Sequence, residues 1–284
     1  MSFKDLVNQA KELEDHSEVQ EGGTFEFEVA DAGTTAGRFI EYIELGKHVE
    51  MYQGKPKPAA ELVRVTFEFT MPNRIKEIEV EGGKKKIAQR ISVTLPKKHT
   101  EKAKFFKLFK SMTYGRENIT HMAEMLGEAF FFKITHNTSG EGDKKRTYAN
   151  LFTDGVWGIT APRKEDVMAG TSEDVSKQIP EALSPIRLFI WSIPTKDTWD
   201  SLFIDGERDE KQQDGTVKKI SKNWLQERIM SATDYVGSPL EQLMAGLRQL
   251  PTEDKKEEPV KQEEAPVKTE AASPDDLMAS LGLG

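Results

Sequence analysis

The 284-residue chain contains no cysteine. That excludes disulfides, thiolate metal sites and cysteine nucleophiles. Histidine is scarce too, and the five present, at 16, 48, 99, 121 and 136, show no spacing suited to a metal. No apolar run approaches membrane-spanning length. The opening MSFKDLVNQAKELEDH has neither a basic start nor an apolar h-region. These absences lead to the expectation of a soluble, cytoplasmic protein. No Ser/His/Asp set or nucleophile elbow stands out. The stretch DAGTTAG at 31–37 follows a strand-like segment but lacks the GK[ST] ending that holds phosphates, and it reads as a hairpin turn. No internal repeat is visible.

What the chain does have is charge, unevenly placed. Its formal net charge of -8 alone argues against a nucleic-acid partner. The distribution argues the other way. Residues 74–116 hold thirteen bases against four acids, a net of +9. Residues 251–284 hold nine acids against four lysines, a net of -5. A basic block thus lies inside the part that can fold, with an acidic tail beyond it.

The hydrophobic pattern divides the chain into a helical lead-in at 1–22, a nucleic-acid-binding core at 23–160, an α+β extension at 161–250 packing on that core, and a tail at 251–284. Alternation predicts strands in TFEFEVA (24–30) and ELVRVTFEFT (61–70), and RFIEYIEL (38–45) reads as a further strand between them. IKEIEVEGGKKKIAQRISVTL (75–95) reads as a hairpin turning at Gly82-Gly83. In EKAKFFKLFKSM, Phe105, Leu108, Phe109 and Met112 recur at helical spacing, with Lys104, Lys107 and Lys110 opposite. ENITHMAEMLG (117–127) repeats the helical pattern and stops at a glycine. Strand composition returns in EAFFFKITHN, RTYANLF and VWGIT. Residues 161–185 read as loop or weak helix, PIRLFIWSI as a short buried strand, and 196–219 as turn-rich. NWLQERIMSA is helical, and Ser238-Pro239 opens a last helix as N-cap and first-turn proline. The fold class is therefore α+β and β-rich. The element order fits an OB-like five-stranded barrel with inserted helices, a smaller C-terminal extension and a disordered acidic tail.

Single-stranded nucleic acid needs cations for phosphates and flat rings for unstacked bases. The candidates are Lys84, Lys85 and Lys86 at the hairpin tip; Arg64 and Arg90 on strands; Lys97, Lys98, Lys104, Phe106, Lys107, Lys110, Tyr114 and Arg116 along the helix block; and Lys144, Lys145, Arg146 and Tyr148 on a later hairpin. Phe105 and Phe109 lie on the apolar face, so they belong to a core, whereas Phe106 sits off it. Three adjacent lysines at a hairpin tip repel one another unless an anion visits. The stretch IDGERDEK, with Asp205, Asp209, Glu210 and Lys211, loosely matches the acidic pair and lysine of a metal-dependent nuclease. Such a site needs carboxylates converging from adjacent strands, and here they share one hydrophilic stretch. The tip PDDLMASLGL sets Asp275 and Asp276 directly before Leu277, Met278, Leu281 and Leu283. That is the form of a peptide docking into a basic-rimmed apolar pocket on a partner.

A basic barrel-like core, an acidic linker and an acid-plus-hydrophobic tip together resemble the phage-type single-stranded DNA-binding proteins. The stretches ISVTLPKKHTEKAKFFKLF, MLGEAFFFKITHN, TWDSLFIDG and SKNWLQERI…GSPLEQLM are similar to that family as well. The resemblance implies an OB core, no catalysis and no cofactor. It also implies a tail that recruits replication or recombination enzymes such as a polymerase, helicase, primase or nuclease, and that competes with DNA for the basic groove. The LGLG ending departs from the family's acid run with a terminal aromatic. A strand-annealing recombination protein would share the charge pattern; a metal-dependent nuclease and a virion assembly protein are the other readings.

Overall fold

The computed structural model describes residues 29–249 apart from 53, 81–82, 141–144, 167 and 212–215. The expected helix at 3–14, most of the strand at 24–30, Lys144 and the whole tail, with its tip residues, lie outside the described residues. The first half of the chain gives β1 (Gly33–His48), β2 (Met51–Tyr52), β3 (Lys55–Pro56), β4 (Ala60–Phe69), β5 (Ile75–Val80), β6 (Gly83–Ala88), β7 (Arg90–Pro96) and α1 (Lys104–Thr113). Then follow β8 (Ala129–Ser139), β9 (Arg146–Asn150), β10 (Phe152–Thr153), β11 (Val156–Trp157), β12 (Ile159–Thr160), β13 (Arg163–Asp166) and β14 (Thr171–Asp174). The last group is β15 (Arg187–Phe189), α2 (Lys196–Asp200), β16 (Glu207–Lys211), β17 (Val217–Ser221), α3 (Trp224–Met230) and α4 (Pro239–Gln249). No described helix is long and apolar enough to cross a membrane.

The main sheet runs β12-β8-β1-β4-β7, all antiparallel, with β9 on β8 and β15 parallel to β1. The chain is thus β-rich α+β, as expected. Its two end strands, β12 and β7, are not hydrogen-bonded to one another, so the described sheet is not a closed barrel.

Sixteen-residue β1 is the spine. Its first half pairs with β8, and from Gly37 onward it pairs with β4. Register shifts at Phe39/Glu41 and Glu44/Gly46 bend it. DAGTTAG is therefore no turn: most of it is strand, continuous with RFIEYIEL. The glycine there serves close backbone approach, since a Cβ on Gly37 would lie 2.1 Å from the Glu68 carbonyl oxygen.

Alternation places Val63, Val65, Phe67 and Phe69 of β4 in the main core, against Phe130, Phe132 and Ile134 of β8 and Phe105, Leu108 and Met112 of α1. A second core joins Ile43, Leu45 and Leu62 from β1 and β4 to Phe189, Trp199, Leu202, Leu225, Ile229 and Leu240. The segment after 160 thus completes a core that the earlier strands begin. PIRLFIWSI supplies the buried strand as expected, and Ser238 Oγ accepts from Glu241 N at 3.1 Å at the start of α4.

Three local expectations need correction. The stretch 117–127 is not a helix but a single 3-10 turn, Met122–Met125, because the Glu124 carboxylate accepts from the backbone N–H of Thr120 and His121 and closes a capping box. The regions at 161–185 and 196–219 are not only loop. Each contains a two-stranded hairpin, β13-β14 and β16-β17. Both hairpins pair opposite charges, such as Arg163 with Asp174 and Asp209 with Lys219, and they expose most of their side chains, so apolar periodicity does not reveal them.

Candidate nucleic-acid interface

The polar faces of β1, β4 and β7 lie on the side away from α1. Cross-strand pairing sets Glu41 beside Thr66 and Ser92, Ile43 beside Arg64 and Thr94, and Arg38 beside Glu68 and Arg90. The segment 179–191 is laid along this face. Arg38 donates to the carbonyls of Ile179, Pro180 and Gly127 at 2.8–2.9 Å. Buried Glu68 accepts from the backbone N–H of Leu183 and Ser184, at 2.6 and 3.2 Å. Buried Glu41 accepts from Arg187 Nε at 2.7 Å, from Arg187 Nη2 and from Thr66 Oγ1 at 2.5 Å. Glu44 accepts from Trp191 N, Lys97 Nζ and the Tyr42 hydroxyl. Burial and the Glu44 charge push the Tyr42 hydroxyl far above its ordinary value.

Around these anchors the surface is cationic and carries a ring. The Arg64 guanidinium lies 4.9 Å from the centre of the Trp224 indole, which α3 presents 39 % exposed. Burial holds Arg64 below its ordinary value; Glu41 opposes that, and Arg187 and Arg90 add to it. Its Nε is buried without a hydrogen bond, 4.0 Å from the Glu41 carboxylate. Arg90 is exposed and donates to Ser184 Oγ at 3.4 Å. Arg187 is tied to buried Glu41, and Arg64 faces the same carboxylate, so exposed Arg90 is the arginine of the three that an anion can reach directly. The indole adds a face on which a base can stack. Sequence reading reached Arg64 and Arg90 but missed Arg187 and Trp224. Both come from the extension, and the signal for Trp224 is that it opens the predicted helix NWLQERIMSA, within one of the stretches similar to the DNA-binding family.

The other predicted cations divide by partner. Lys97 is tied to Glu44 and Glu61, and Arg116 to Glu128 through two hydrogen bonds, so both act within the fold. Arg116 also lies 4.3 Å from the Tyr114 ring, which α1's left-handed C-cap carries. At the hairpin tip, Lys84 and Lys86 face Glu79 and Glu77, and Lys84 Nζ sits 3.1 Å from the Glu77 carboxylate. The supposed repulsion is thus relieved across the ladder, whereas Lys85 points to the other face, opposite Ile78. Lys98, Lys145, Arg146 and Tyr148 are exposed, the last three on and beside β9 and away from β4 and β7 in the sheet path.

On α1, Phe105 is buried at 5 % exposure and Phe106 is half-buried, as the helical register requires. Lys110 Nζ stands 5.4 Å from the Phe106 ring centre, and Lys104 Nζ stands 4.7 Å from that of Phe152. The acidic stretch lies on β16-β17, with Asp209 and Glu210 facing Lys219 and Lys218. Among the described residues no three His, Asp or Glu side chains converge as metal ligands would. Comparison of the chain with protein-family models, curated proteins and solved structures finds no match.

Proposed function

We propose that this chain binds single-stranded DNA with little sequence preference, coating and protecting it in phage DNA replication, recombination and repair without catalysis or cofactor. The observation that carries the reading is exposed Arg90 of β7 near the pair of Arg64 and part-exposed Trp224 on the outer face of β4 and β7. A five-strand path with α1 between its third and fourth main strands supports an OB barrel opened between its ends, and OB barrels bind nucleic acid on the face of strands two and three. In this reading a phosphate meets exposed Arg90, and a base stacks on Trp224. Residues 275–283 serve as the bait that recruits replication or recombination enzymes.

The test is a salt titration of binding to single- and double-stranded DNA of equal length. With about five phosphates neutralised, log affinity for the single strand falls with log salt at a slope of about -3 to -4. Arg90→Ala, at an exposed site, lowers the steepness by about 0.7. Equal or tighter duplex binding overturns the reading.

A further inference from the structure

The hairpin β10-β11 stands out from the sheet as a narrow, braced edge. Asp154 and Gly155 both take positive φ, 54° and 81°, as a two-residue turn of the hairpin-favouring kind requires. Val156 follows the turn and is 67 % exposed. The edge is fixed on both flanks. Lys107 Nζ donates to Gly155 O at 3.1 Å from the α1 side, and the Thr135 and Thr153 hydroxyls meet at 2.7 Å on the β8 side. Beneath it, Phe152 packs on buried Trp157 with ring centres 5.0 Å apart.

A hollow opens on each flank, and Val156 and Trp157 line both. The one toward α1, about 500 Å³, adds Phe106, Lys107 and Lys110. The one toward β8, about 720 Å³, adds Phe131, Lys133 and Arg163. Each therefore offers a ring and cations on opposite sides of one apolar crest. The acids present, Glu101 in the first and Asp154 and Glu165 in the second, suit base amino groups rather than phosphates.

We infer that the β10-β11 hairpin is a wedge over which a single strand is laid, with Val156 between two successive bases, one in each hollow. Apolar side chains part base steps in this way in other nucleic-acid complexes, and ring-and-cation pockets hold the parted bases. The two-sided symmetry of ring and cation favours a strand of repeating base and phosphate over a peptide. The inference rests on the single-stranded DNA reading but concerns a surface distinct from the Arg90 face.

The experiment uses the full chain and an oligonucleotide carrying one 2-aminopurine, whose fluorescence rises when it unstacks. Intact protein raises the signal. Val156→Ser lowers the rise while affinity falls by less than about tenfold, one stacking contact's worth. Lys133→Ala reduces it as well. A rise that persists undiminished in Val156→Ser overturns the wedge, as does its absence from a complex whose affinity still responds to Arg90→Ala. No binding of the oligonucleotide at all overturns the DNA reading and the wedge with it. Hollows that take a synthetic peptide of residues 270–284 and give no DNA response overturn the wedge in favour of a peptide site.

Discussion

Phe105 and Phe106 are neighbours in sequence with opposite fates. Phe105 faces the main core and meets His99 edge-on, with ring centres 5.5 Å apart. Phe106 borders a hollow under Lys110. Phe105→Ala therefore costs about 3–5 kcal/mol of stability, read as a lowered denaturation midpoint with little change in DNA affinity once folded. Phe106→Ala costs less stability and loses about 1–3 kcal/mol of DNA binding. Identical melting and binding losses in the two variants would contradict these roles. The pair was legible in the sequence because an i, i+3, i+4, i+7 pattern on a ten-residue helix assigns faces directly. The roles of Arg187 and Trp224 were not legible. They depend on which strand the 179–191 segment lies against, and that is set by carboxylates at 41, 44 and 68, far away in sequence.

At the scale of elements, the β5-β6 hairpin shows how a charge run changes meaning once it is paired. One face alternates Glu77 and Glu79 with Lys86 and Lys84; the other presents Lys85 beside Ile78. Exposed ion pairs stabilise little, yet they already neutralise the lysines that a phosphate would otherwise meet. Lys85→Ala therefore lowers the salt dependence of DNA binding by about 0.7, while Lys84→Ala changes it much less, because Glu77 is released at the same time. Equal slopes for the two variants would mean that the ladder pairing does not govern the hairpin's charge. The hairpin itself could be read from sequence, but not its bounds: Gly83 is already paired with Val80, and 90–95 belongs to β7, which pairs with β4 rather than with β5. The hairpins at 163–174 and 207–221 could not be, since their opposed charges leave no apolar stripe. The glycines of β1 misled for a related reason: Gly37 marks a backbone crossing, and a crossing is a tertiary event.

For the whole molecule, the decisive asymmetry is between the described part and residues 251–284, with their nine acids and four lysines. Deleting that stretch tightens single-stranded DNA binding at low salt, and the gain shrinks as salt screens the attraction. The deletion also ends the recruitment of partner enzymes. Replacing only Leu277, Met278, Leu281 and Leu283 with Ser keeps the charge, so competition persists while recruitment fails. A pull-down that still captures every partner with this variant removes the bait role.

β1 lends Phe39 and Tyr42 to one core and Ile43 and Leu45 to the other, along one unbroken strand. Neither core can melt without tearing the ladder that the other needs. Amide hydrogens on both flanks of the strand, in β4 and in β15, should therefore exchange with solvent only through the same global opening. A protease cut near residue 160 would leave two fragments, each exposing half of a broken interior, rather than two working pieces. The surface that offers Arg90 and the helix that offers Trp224 thus persist together or vanish together.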